Sequence, residues 1–293
     1  MAGDKEDILK SSAVRFLLSN QNQDGGWGYA PQQSSAVEPN SAALLALRED
    51  PSCTQSCPRA IDWLRSAQHD DGGWGFNSRD KESGWQTPWA VLVLNQIGEG
   101  KDALKKDIKW LLNVPVLKAS EDTIQAGKKI IAIDLSLRGW PWLPEEATWV
   151  EPTALTILAL TSASDKALYD PIQDALRFIQ DRRCQGGGWN MGNPFMFSQS
   201  LPARAHTTAL VVLALGNLAP ETIMPEDIRA LRSEMQRNGG ILGLAWGLLA
   251  LKTIKINDTS AESRLVAFQE KTGGWGNNPY KTAIALMALG GHL

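Results

Sequence analysis

A short Gly-Gly-Trp segment recurs along the chain, each time in the same surroundings. Residues 21–28 read Gln-Asn-Gln-Asp-Gly-Gly-Trp-Gly, and close copies stand at residues 68–75, 184–189 and 269–276. Each copy follows an amphipathic stretch and precedes a stretch rich in alanine and leucine. A repeat of this kind indicates one supersecondary unit that is used several times and buries its apolar face against its neighbours. The chain is therefore expected to fold as an array of similar helical hairpins.

Each unit is predicted to contain two helices of different character. The first helix alternates charged and apolar residues at helical spacing, which is typical of a helix with one solvated face. These helices are predicted at residues 8–18, 60–67, 104–112, 172–180, 228–237 and 261–269. The second helices are apolar on nearly all sides, as buried helices are, and are predicted at residues 41–47, 89–94, 153–160, 207–215, 243–251 and 281–289.

Six such hairpins predict an all-α fold, an α/α toroid. An open stack would expose apolar second helices at its two ends, so we expect a closed ring with the second helices inside and the first helices outside. The expected organisation is a single toroid domain over residues 1–293 with a central apolar cavity. Residues 114–137 form an insertion within the third unit. Its part 123–137 is predicted to form an additional helix, which is either a packing element or a substrate lid.

The recurring turn has a structural explanation. Gly-Gly permits positive φ and ends the first helix. The tryptophans that follow can then cover the exposed helix end; they are Trp27, Trp74, Trp189 and Trp275. Glutamines at the helix end can bond backbone groups that lack helical partners, and they are Gln21 or Gln23, Gln68 and Gln269. The alternative for these tryptophans is a platform on which sugars or bases stack.

Composition excludes several classes of function. A net charge of −3, 21% charged residues and no basic run argue against nucleic acid as a partner. No stretch of about 18 apolar residues is present, so no transmembrane segment is expected. The polar N-terminus has no signal-peptide pattern. Three cysteines do not make a disulfide framework, so we expect reduced thiols and a cytoplasmic location.

The residues at the turns carry a family resemblance. The Gln-x-x-Asp-Gly-Gly-Trp-Gly segments resemble the QW-type repeats of the squalene–hopene cyclases and oxidosqualene cyclases. The Ala/Leu-rich second helices are similar to those of the same cyclases and of protein prenyltransferase β subunits. The resemblance covers residues 8–289 and implies an α/α toroid that acts on an apolar isoprenoid. It leaves open peripheral contact with a membrane, and a partner subunit of the kind that prenyltransferase β subunits need.

One position of the repeat stands just before each second helix. At this position the chain reads Glu38, Thr87, Glu151, His206, Leu242 and Tyr280. Three of these residues precede proline, which is preferred at the first helical position, so the position is predicted to be an N-cap. Six N-caps at one end of a ring meet at one mouth of its cavity. Glu38, Glu151, His206 and Tyr280 are therefore the candidate catalytic residues, and simple helix capping is the competing explanation.

The resemblance assigns the role of the acid to Glu151. Class II cyclases protonate their substrate with the middle Asp of Asp-x-Asp-Asp-Thr-Ala, and residues 149–154 read Trp-Val-Glu-Pro-Thr-Ala. Burial can raise a carboxyl pKa by up to about 3–5 units, whereas the helix dipole lowers it, so a dry cavity would make Glu151 a usable acid. Trp149 and Pro152 replace the flanking acids of the motif. An epoxide, an allylic alcohol or a polarised carbonyl, which needs a weaker acid than an alkene, suits this departure.

No cofactor is expected at the mouth. Prenyltransferase β subunits, which this chain resembles, hold zinc with Asp, Cys and His. Glu151 and His206 match the Asp and the His, but Thr153 stands where the Cys would be. A different divalent ion held by Glu38, Glu151 and His206 is the alternative.

Tryptophans near the starts of the second helices, or within them, are candidates for substrate binding. Aromatic faces that line a cavity stabilise carbocations through cation–π attraction, and packing of the core is the alternative. These tryptophans are Trp85, Trp89, Trp140, Trp142, Trp149 and Trp246. Arg204, close to His206, is a candidate for binding an anion at the same mouth.

Two classes of function follow. The first is a terpene cyclase-like enzyme that starts cyclisation or isomerisation of an isoprenoid by proton transfer, with His206, Glu38 and Tyr280 tuning the acid Glu151. The second is a non-catalytic toroid that binds an isoprenoid or another lipid, or docks a partner. A prenyltransferase-like protein and a protein that binds or cleaves polysaccharides are weaker alternatives.

Overall fold

The computed structural model describes residues 2–99, 104–163, 168–196, 198–291 and 293. Its α-helices, numbered in chain order, are α1 (Ala2–Ser19), α2 (Val37–Leu47), α3 (Ser56–Ser66), α4 (Thr87–Gln96), α5 (Leu104–Asn113), α6 (Glu121–Ile130), α7 (Val150–Ser162), α8 (Tyr169–Asp181), α9 (Ala205–Leu218), α10 (Pro225–Asn238), α11 (Ile241–Thr253), α12 (Thr259–Ala267) and α13 (Pro279–Gly290). Short 3₁₀ turns stand at Pro51–Cys53 and Pro220–Thr222. Among the described residues, no helix is both long and apolar enough to cross a membrane.

The predicted closed ring is confirmed. Each inner helix contacts the next in the order α2, α4, α7, α9, α11 and α13, and α13 contacts α2. The outer helices α1, α3, α5, α8, α10 and α12 pack against the outside of this ring. The inner helices are buried on nearly all sides and the outer helices on one face, as predicted. For example, the inner helix α9 buries every residue from 207 to 215, whereas the outer helix α8 buries one face. The all-α toroid is therefore the fold of this chain.

The turn tryptophans close the ends of the outer helices, as the sequence predicts. Each indole Nε1 donates a hydrogen bond to a backbone carbonyl near the end of an outer helix, at 2.7–2.8 Å. The pairs are Trp27 with Leu17, Trp74 with Leu64, Trp140 with Leu111, Trp189 with Ile179 and Trp275 with Leu265. All five indoles are buried, so each tryptophan fills the junction between an outer helix and the inner helix that follows.

The last turn closes the ring onto the first helix. Gln269 Nε2 donates to the carbonyl of Gly273 at 2.9 Å within its own turn, and to the carbonyl of Leu9 on α1 at 3.1 Å. Gly273 has a φ of +91°, and a Cβ there would stand 2.3 Å from the carbonyl oxygen of Ser12. Only glycine allows this positive φ and close approach without strain. Contacts between residues about 260 positions apart therefore join the two ends of the chain.

The insertion of the third unit contains one helix, and a small hairpin follows it. The predicted additional helix is observed as α6, which begins two residues earlier than expected and ends at Ile130. Beyond the insertion, β1 (Trp140–Pro141) pairs antiparallel with β2 (Thr148–Trp149) directly before α7. A second hairpin pairs β3 (Phe195–Met196) with β4 (Gln199–Ser200) before α9. Both hairpins precede the N-terminus of an inner helix, so they lie at the end of the ring where the Gly-Trp turns are found.

Candidate active site

One hydrogen bond recurs between a Gly-Trp turn and the inner helix that follows it. A threonine hydroxyl oxygen of the inner helix accepts a bond from the backbone N–H of the turn tryptophan. The pairs are Trp74–Thr87 at 3.0 Å, Trp140–Thr153 at 2.8 Å, Trp189–Thr208 at 2.9 Å and Trp275–Thr282 at 3.0 Å. This contact identifies equivalent residues in four units independently of the Ala/Leu pattern.

The contact corrects the predicted ring position in the second unit. Glu151, His206 and Tyr280 each lie two residues before the threonine of their unit, whereas Thr87 is itself that threonine. The equivalent residue of the second unit is therefore Trp85. Helix α4 begins at this threonine, whereas α7, α9 and α13 begin three residues before theirs. The Ala/Leu pattern alone therefore aligns the second unit two residues out of step.

The ring position lies inside the first helical turn, so the prediction that it is an N-cap is wrong. In four units the candidate residue is the second residue of its helix, and these residues are Glu38, Glu151, His206 and Tyr280. The observed N-caps stand two residues earlier, at Ala36, Trp149, Arg204 and Asn278. Proline occupies the third helical position in α2 and α7, where the N–H that it lacks would have no helical partner either.

The order of the inner helices arranges the four polar residues in two pairs. Helix α13 contacts α2, which brings Tyr280 to Glu38, and α7 contacts α9, which brings Glu151 to His206. At this position the second unit contributes Trp85, which precedes α4, and the fifth unit contributes Leu242 on α11. Each polar pair therefore lies on its own side of the mouth, and apolar side chains separate the two.

Glu38 is held by two tyrosines. The hydroxyl of Tyr29 donates a hydrogen bond to Glu38 Oε2, and Tyr280 forms a second side-chain bond with the same carboxyl. Burial raises the pKa of Glu38 above its ordinary value, the two tyrosine bonds oppose this rise, and the charge of Glu151 adds to it. Burial also raises the pKa of both tyrosines, so their hydroxyls stay protonated and remain donors. Glu38 therefore keeps its proton to a higher pH than an exposed glutamate does.

Glu151 and His206 form the other pair, which water reaches. Glu151 Oε1 accepts a hydrogen bond from Thr207 Oγ1 at 2.5 Å and lies 3.6 Å from His206 Nδ1. The side chain of His206 is 39% exposed and that of Glu151 is 14% exposed. Burial of the imidazole lowers the pKa of His206, and the charge of Glu151 opposes this effect. His206 is therefore biased toward its neutral form, in which one ring nitrogen accepts a proton.

Aromatic rings connect the two pairs. The ring of Tyr280 lies 6.3 Å from that of Trp89, Trp89 lies 5.8 Å from Trp246, and Trp246 lies 5.6 Å from His206, measured between ring centroids. Trp89 is 1% exposed and Trp246 is fully buried. The expected open cavity therefore does not reach these two indoles, which pack against each other and fill the space between α4 and α11.

Two nitrogens of this aromatic cluster are buried and have no hydrogen-bond partner in the part of the chain that the structure describes. They are Trp89 Nε1 and His206 Nε2. A buried polar atom without a partner costs about 1–3 kcal/mol, so such atoms are rare in cores and mark places where a ligand atom can bond.

Most of the remaining candidate residues are at least partly exposed, and one of them has a structural role in a turn. Trp85 and Trp142 are half-buried, with their rings edge to face at 5.2 Å, and the backbone N–H of Trp85 donates to the carbonyl of Trp142 at 2.9 Å. Trp149 is also half-buried, and Arg204 is exposed. The expectation for Trp140 needs correction, because its indole occupies the buried turn position described above and does not line the mouth.

The mouth does not offer a three-ligand metal site. Among the described residues, no group of three or more His, Cys, Asp or Glu side chains is placed to hold a metal ion. Glu38 bonds to tyrosines on one side of the mouth, whereas Glu151 and His206 pair on the other, so the three candidate ligands do not converge. The three side chains offered to a divalent ion by the sequence are therefore divided between the two sides of the mouth.

Two residues of the site escape the sequence analysis. Tyr29 follows the first turn tryptophan by two positions, and its ring lies 5.7 Å from that of Tyr280 and 5.8 Å from that of Phe76. Thr207 stands next to His206 in the first turn of α9. The available signal for Tyr29 is the segment Trp-Gly-Tyr directly after a turn, since the other turns carry no tyrosine there.

Comparisons with known proteins identify the fold and leave the family open. No family model matches the chain, and no curated protein matches it. Solved structures that share the fold include the type II terpene cyclase MstE from Scytonema, which is 18% identical with a TM-score of 0.64 over 98% of both chains. A variant of the same cyclase has been solved with its substrate, geranylgeranyl dihydroxybenzoate. An α-amylase from Clostridium perfringens is 12% identical with a TM-score of 0.68, over 97% of this chain and 98% of that chain. An α-1,6-mannanase of a Salegentibacter species is 8% identical with a TM-score of 0.64 over the same shares.

Proposed function

We propose that this chain is a terpene cyclase-like enzyme of the class II type, which starts cyclisation or isomerisation of an isoprenoid by protonating it at the mouth of the ring. The observation that carries the proposal is the carboxyl of Glu38, whose pKa is raised and which bonds to two tyrosines beside an aromatic cluster. The shared fold with a type II terpene cyclase supports it.

Glu38 is a better acid than Glu151, the residue that the motif resemblance favours. An acid must hold its proton at working pH and release it to a substrate that is weakly basic. Burial raises the pKa of Glu38, and two tyrosines act on its carboxyl. Glu151 pairs with a half-exposed imidazole and with the hydroxyl of Thr207. We assign proton donation to Glu38, and proton acceptance to the pair of Glu151 and His206.

The chemistry then runs across the mouth. The O–H bond of Glu38 breaks as its proton forms a C–H bond with an alkene, or an O–H bond that opens an epoxide, and a carbocation remains on the substrate. Tyr29 and Tyr280 continue to donate to the new carboxylate, which stabilises the conjugate base. Indole faces at the mouth attract the cation, by up to about 2 kcal/mol for each desolvated ring. Loss of a neighbouring proton to the pair on the other side, Glu151 and His206, forms the product alkene and leaves no net change in composition.

The unpartnered nitrogens favour a substrate that carries oxygen. The indole N–H of Trp89 is a donor that a hydroxyl, carbonyl or carboxylate oxygen would satisfy. This indole is buried, so the substrate must move it or reach its edge from the mouth. An oxygenated isoprenoid therefore fits this site better than a pure hydrocarbon.

The test is deuterium incorporation. We would incubate the protein in D₂O with geranylgeraniol, terminal epoxides of farnesol and geranylgeraniol, squalene and geranylgeranyl dihydroxybenzoate, and analyse the extracts by mass spectrometry. A proton-initiated reaction at an alkene gives a product isomeric with its substrate that carries deuterium at the protonated carbon. An epoxide is protonated on oxygen, where deuterium is lost again by exchange, so its cyclisation is followed by the chromatographic retention time of the product. Glu38→Gln is expected to lower turnover by about 10²- to 10⁴-fold.

Two variants sharpen the result. Glu226→Gln changes a partly exposed glutamate on α10 that pairs with Arg229, and is expected to leave turnover unchanged. Tyr29→Phe removes a bond that lowers the pKa of Glu38, so the pH at which activity is lost on the alkaline side should move upward. Full turnover in Glu38→Gln would overturn the assignment of the acid, and full turnover in both Glu38→Gln and Glu151→Gln would overturn proton-initiated chemistry at this mouth.

Glycoside hydrolysis is the second candidate, and one specific observation favours it. Glu38 and Glu151 are two carboxyls at one mouth, close enough that the charge of Glu151 raises the pKa of Glu38. Glycosidases use a pair of carboxyls in different surroundings, one as the acid and the other as the base or nucleophile. Release of reducing sugar from α-linked glucans or mannans, lost in both Glu38→Gln and Glu151→Gln, would move the assignment to this class.

A further inference from the structure

Two cysteines meet at the end of the ring opposite the Gly-Trp turns. The connection from α2 to α3 joins the C-terminus of an inner helix to the N-terminus of an outer helix, whereas the turns join the other ends. Cys53 ends the 3₁₀ turn Pro51–Cys53, and Cys57 is the second residue of α3. They are four residues apart along nearly continuous helical turns, and residues at that spacing lie on the same side.

The two thiols share one pocket. Cys53 and Cys57 both line a surface pocket of about 320 Å³, which Arg48 and Asp50 line as well. Cys53 is 3% exposed and Cys57 is half-buried, so a small reagent approaches the pair from this pocket. On an α-helix, a rise of 1.5 Å per residue separates residues four apart by about 6 Å, within the 4.4–6.8 Å that the Cα atoms of a disulfide span.

The mutual influence of the two thiols also divides their roles. Interaction with Cys57 lowers the pKa of the Cys53 thiol, partly offset by burial and by the charge of Asp50, whereas interaction with Cys53, burial and Asp50 raise the pKa of Cys57. Cys53 is therefore the sulfur that more easily becomes the nucleophilic thiolate. The third cysteine differs in this respect, because burial raises the pKa of Cys184 to about 11. Cys184 provides an internal reference for an unreactive thiol.

We propose that Cys53 and Cys57 are a redox-active dithiol, which a hydroperoxide converts to an intramolecular disulfide and which a dithiol reductant restores. This site lies away from the mouth and is independent of the reaction proposed there. Formation of the bond would tie the 3₁₀ turn to the start of α3 without a large movement of the backbone.

The steps balance as a two-electron oxidation. The thiolate of Cys53 attacks the distal oxygen of the hydroperoxide, the O–O bond breaks, and the alkoxide or hydroxide leaves as alcohol or water after taking a proton. Cys53 is now a sulfenic acid. The sulfur of Cys57 attacks the sulfur of Cys53, the S–S bond forms, the S–O bond breaks, and the released hydroxide takes the thiol proton as water. Two thiols are oxidised and one hydroperoxide is reduced.

The test uses the full-length chain and two probes. Hydrogen peroxide should remove the mass of two hydrogen atoms from the intact protein, peptide mapping should place the cross-link between Cys53 and Cys57, and dithiothreitol should restore the original mass. Phenylarsine oxide, which bridges two adjacent thiols, should bind to the reduced protein at one equivalent and not to the oxidised protein. Cys184→Ser is expected to behave as the wild type in both experiments.

Single-cysteine variants separate the two roles. Cys57→Ser should stop at a sulfenic acid on Cys53 that dimedone traps, and Cys53→Ser should react with peroxide at least about 10-fold more slowly than the wild type. The proposal is overturned if peroxide leaves the wild-type mass unchanged, if Cys184 is oxidised as fast as Cys53, or if the wild type forms higher oxides without a cross-link. The wild type and Cys184→Ser decide the question even if the other two variants do not fold.

Discussion

Asp107 allows a quantitative test of how burial acts on a carboxyl in this ring. It stands in the first turn of α5 and is fully buried. Its Oδ1 accepts a hydrogen bond from Gln68 Nε2, and its Oδ2 has no partner among the residues that the structure describes. Burial raises the pKa of Asp107 from 3.8 to about 7, with the bond from Gln68 opposing the rise. The folded protein therefore holds the proton of Asp107 more tightly than the unfolded chain.

The sign of the pH dependence follows from that difference. A group whose pKa is higher in the folded state favours folding fully below its unfolded value, and this contribution is lost as pH rises through the folded value. For Asp107 the loss runs from about pH 4 to about pH 7. At 1.36 kcal/mol per pKa unit, the rise from 3.8 to about 7 corresponds to about 4 kcal/mol. Asp107→Asn removes the charge and keeps the shape, so it should change little at low pH and stabilise the fold by up to about 4 kcal/mol above pH 8.

The assay is urea unfolding followed by tryptophan fluorescence, at about pH 5 and about pH 8. The matched control is Asp227→Asn on α10, an equally buried aspartate whose Oδ1 accepts from Gly188 N at 2.8 Å and whose Oδ2 accepts from Met224 N at 2.9 Å. Arg183 Nη2 lies 3.3 Å from the same Oδ2, so this substitution should destabilise the fold at both pH values, by about 3–5 kcal/mol. The reasoning fails if Asp107→Asn destabilises the protein more at about pH 8 than at about pH 5.

Two further predictions concern the turns. Gly273→Ala forces an alanine into positive φ against a backbone carbonyl of α1 and should lower the free energy of unfolding by at least about 2 kcal/mol. The control Gly186→Ala has open space around it among the described residues and should change stability by less than about 0.5 kcal/mol. Equal losses in the two variants would contradict this account of the ring closure. Trp27→Phe removes an indole N–H that bonds to a carbonyl of α1, and Trp89→Phe removes one that has no partner in the described chain, so the first substitution should destabilise the fold by about 1–3 kcal/mol more than the second. Chemical denaturation measures both pairs.

The fold could be predicted from the sequence because it depends on a repeated local signal. The sequence of each unit predicts its own outer helix, turn and inner helix. Outer helices have one apolar face and inner helices are apolar on nearly all sides, so the distribution of apolar residues assigns each helix to one of the two layers. The pattern is weakest where the Ala/Leu run is shifted, and this is why the second unit was aligned on Thr87 instead of Trp85. The backbone N–H of Trp74 fixes that register through the hydroxyl of Thr87, a contact that hydrophobic periodicity does not encode.

The site could be predicted only in part. The repeat brings Glu38, Glu151, His206 and Tyr280 to one mouth, as expected, because a ring turns equivalent positions toward one another. The roles inside that group depend on contacts outside the repeat. Tyr29 lies in a loop and is absent from the repeat pattern, yet its hydroxyl bonds to the carboxyl of Glu38.

The difference between the two glutamates shows why identical residues at equivalent positions acquire different chemistry. Both stand at the second position of an inner helix, so the helix dipole acts on both alike. The neighbours then differ: Glu38 lies between two tyrosines whose own burial keeps them protonated, and Glu151 lies beside an imidazole that water reaches. An acid needs enclosure and neutral donors, whereas an acceptor of protons needs a basic neighbour and a path to solvent. The order of helices around the ring provides both environments. It places each glutamate next to the unit that supplies its partner, Tyr280 for Glu38 and His206 for Glu151, and it places a unit with an apolar side chain between the two pairs on either side.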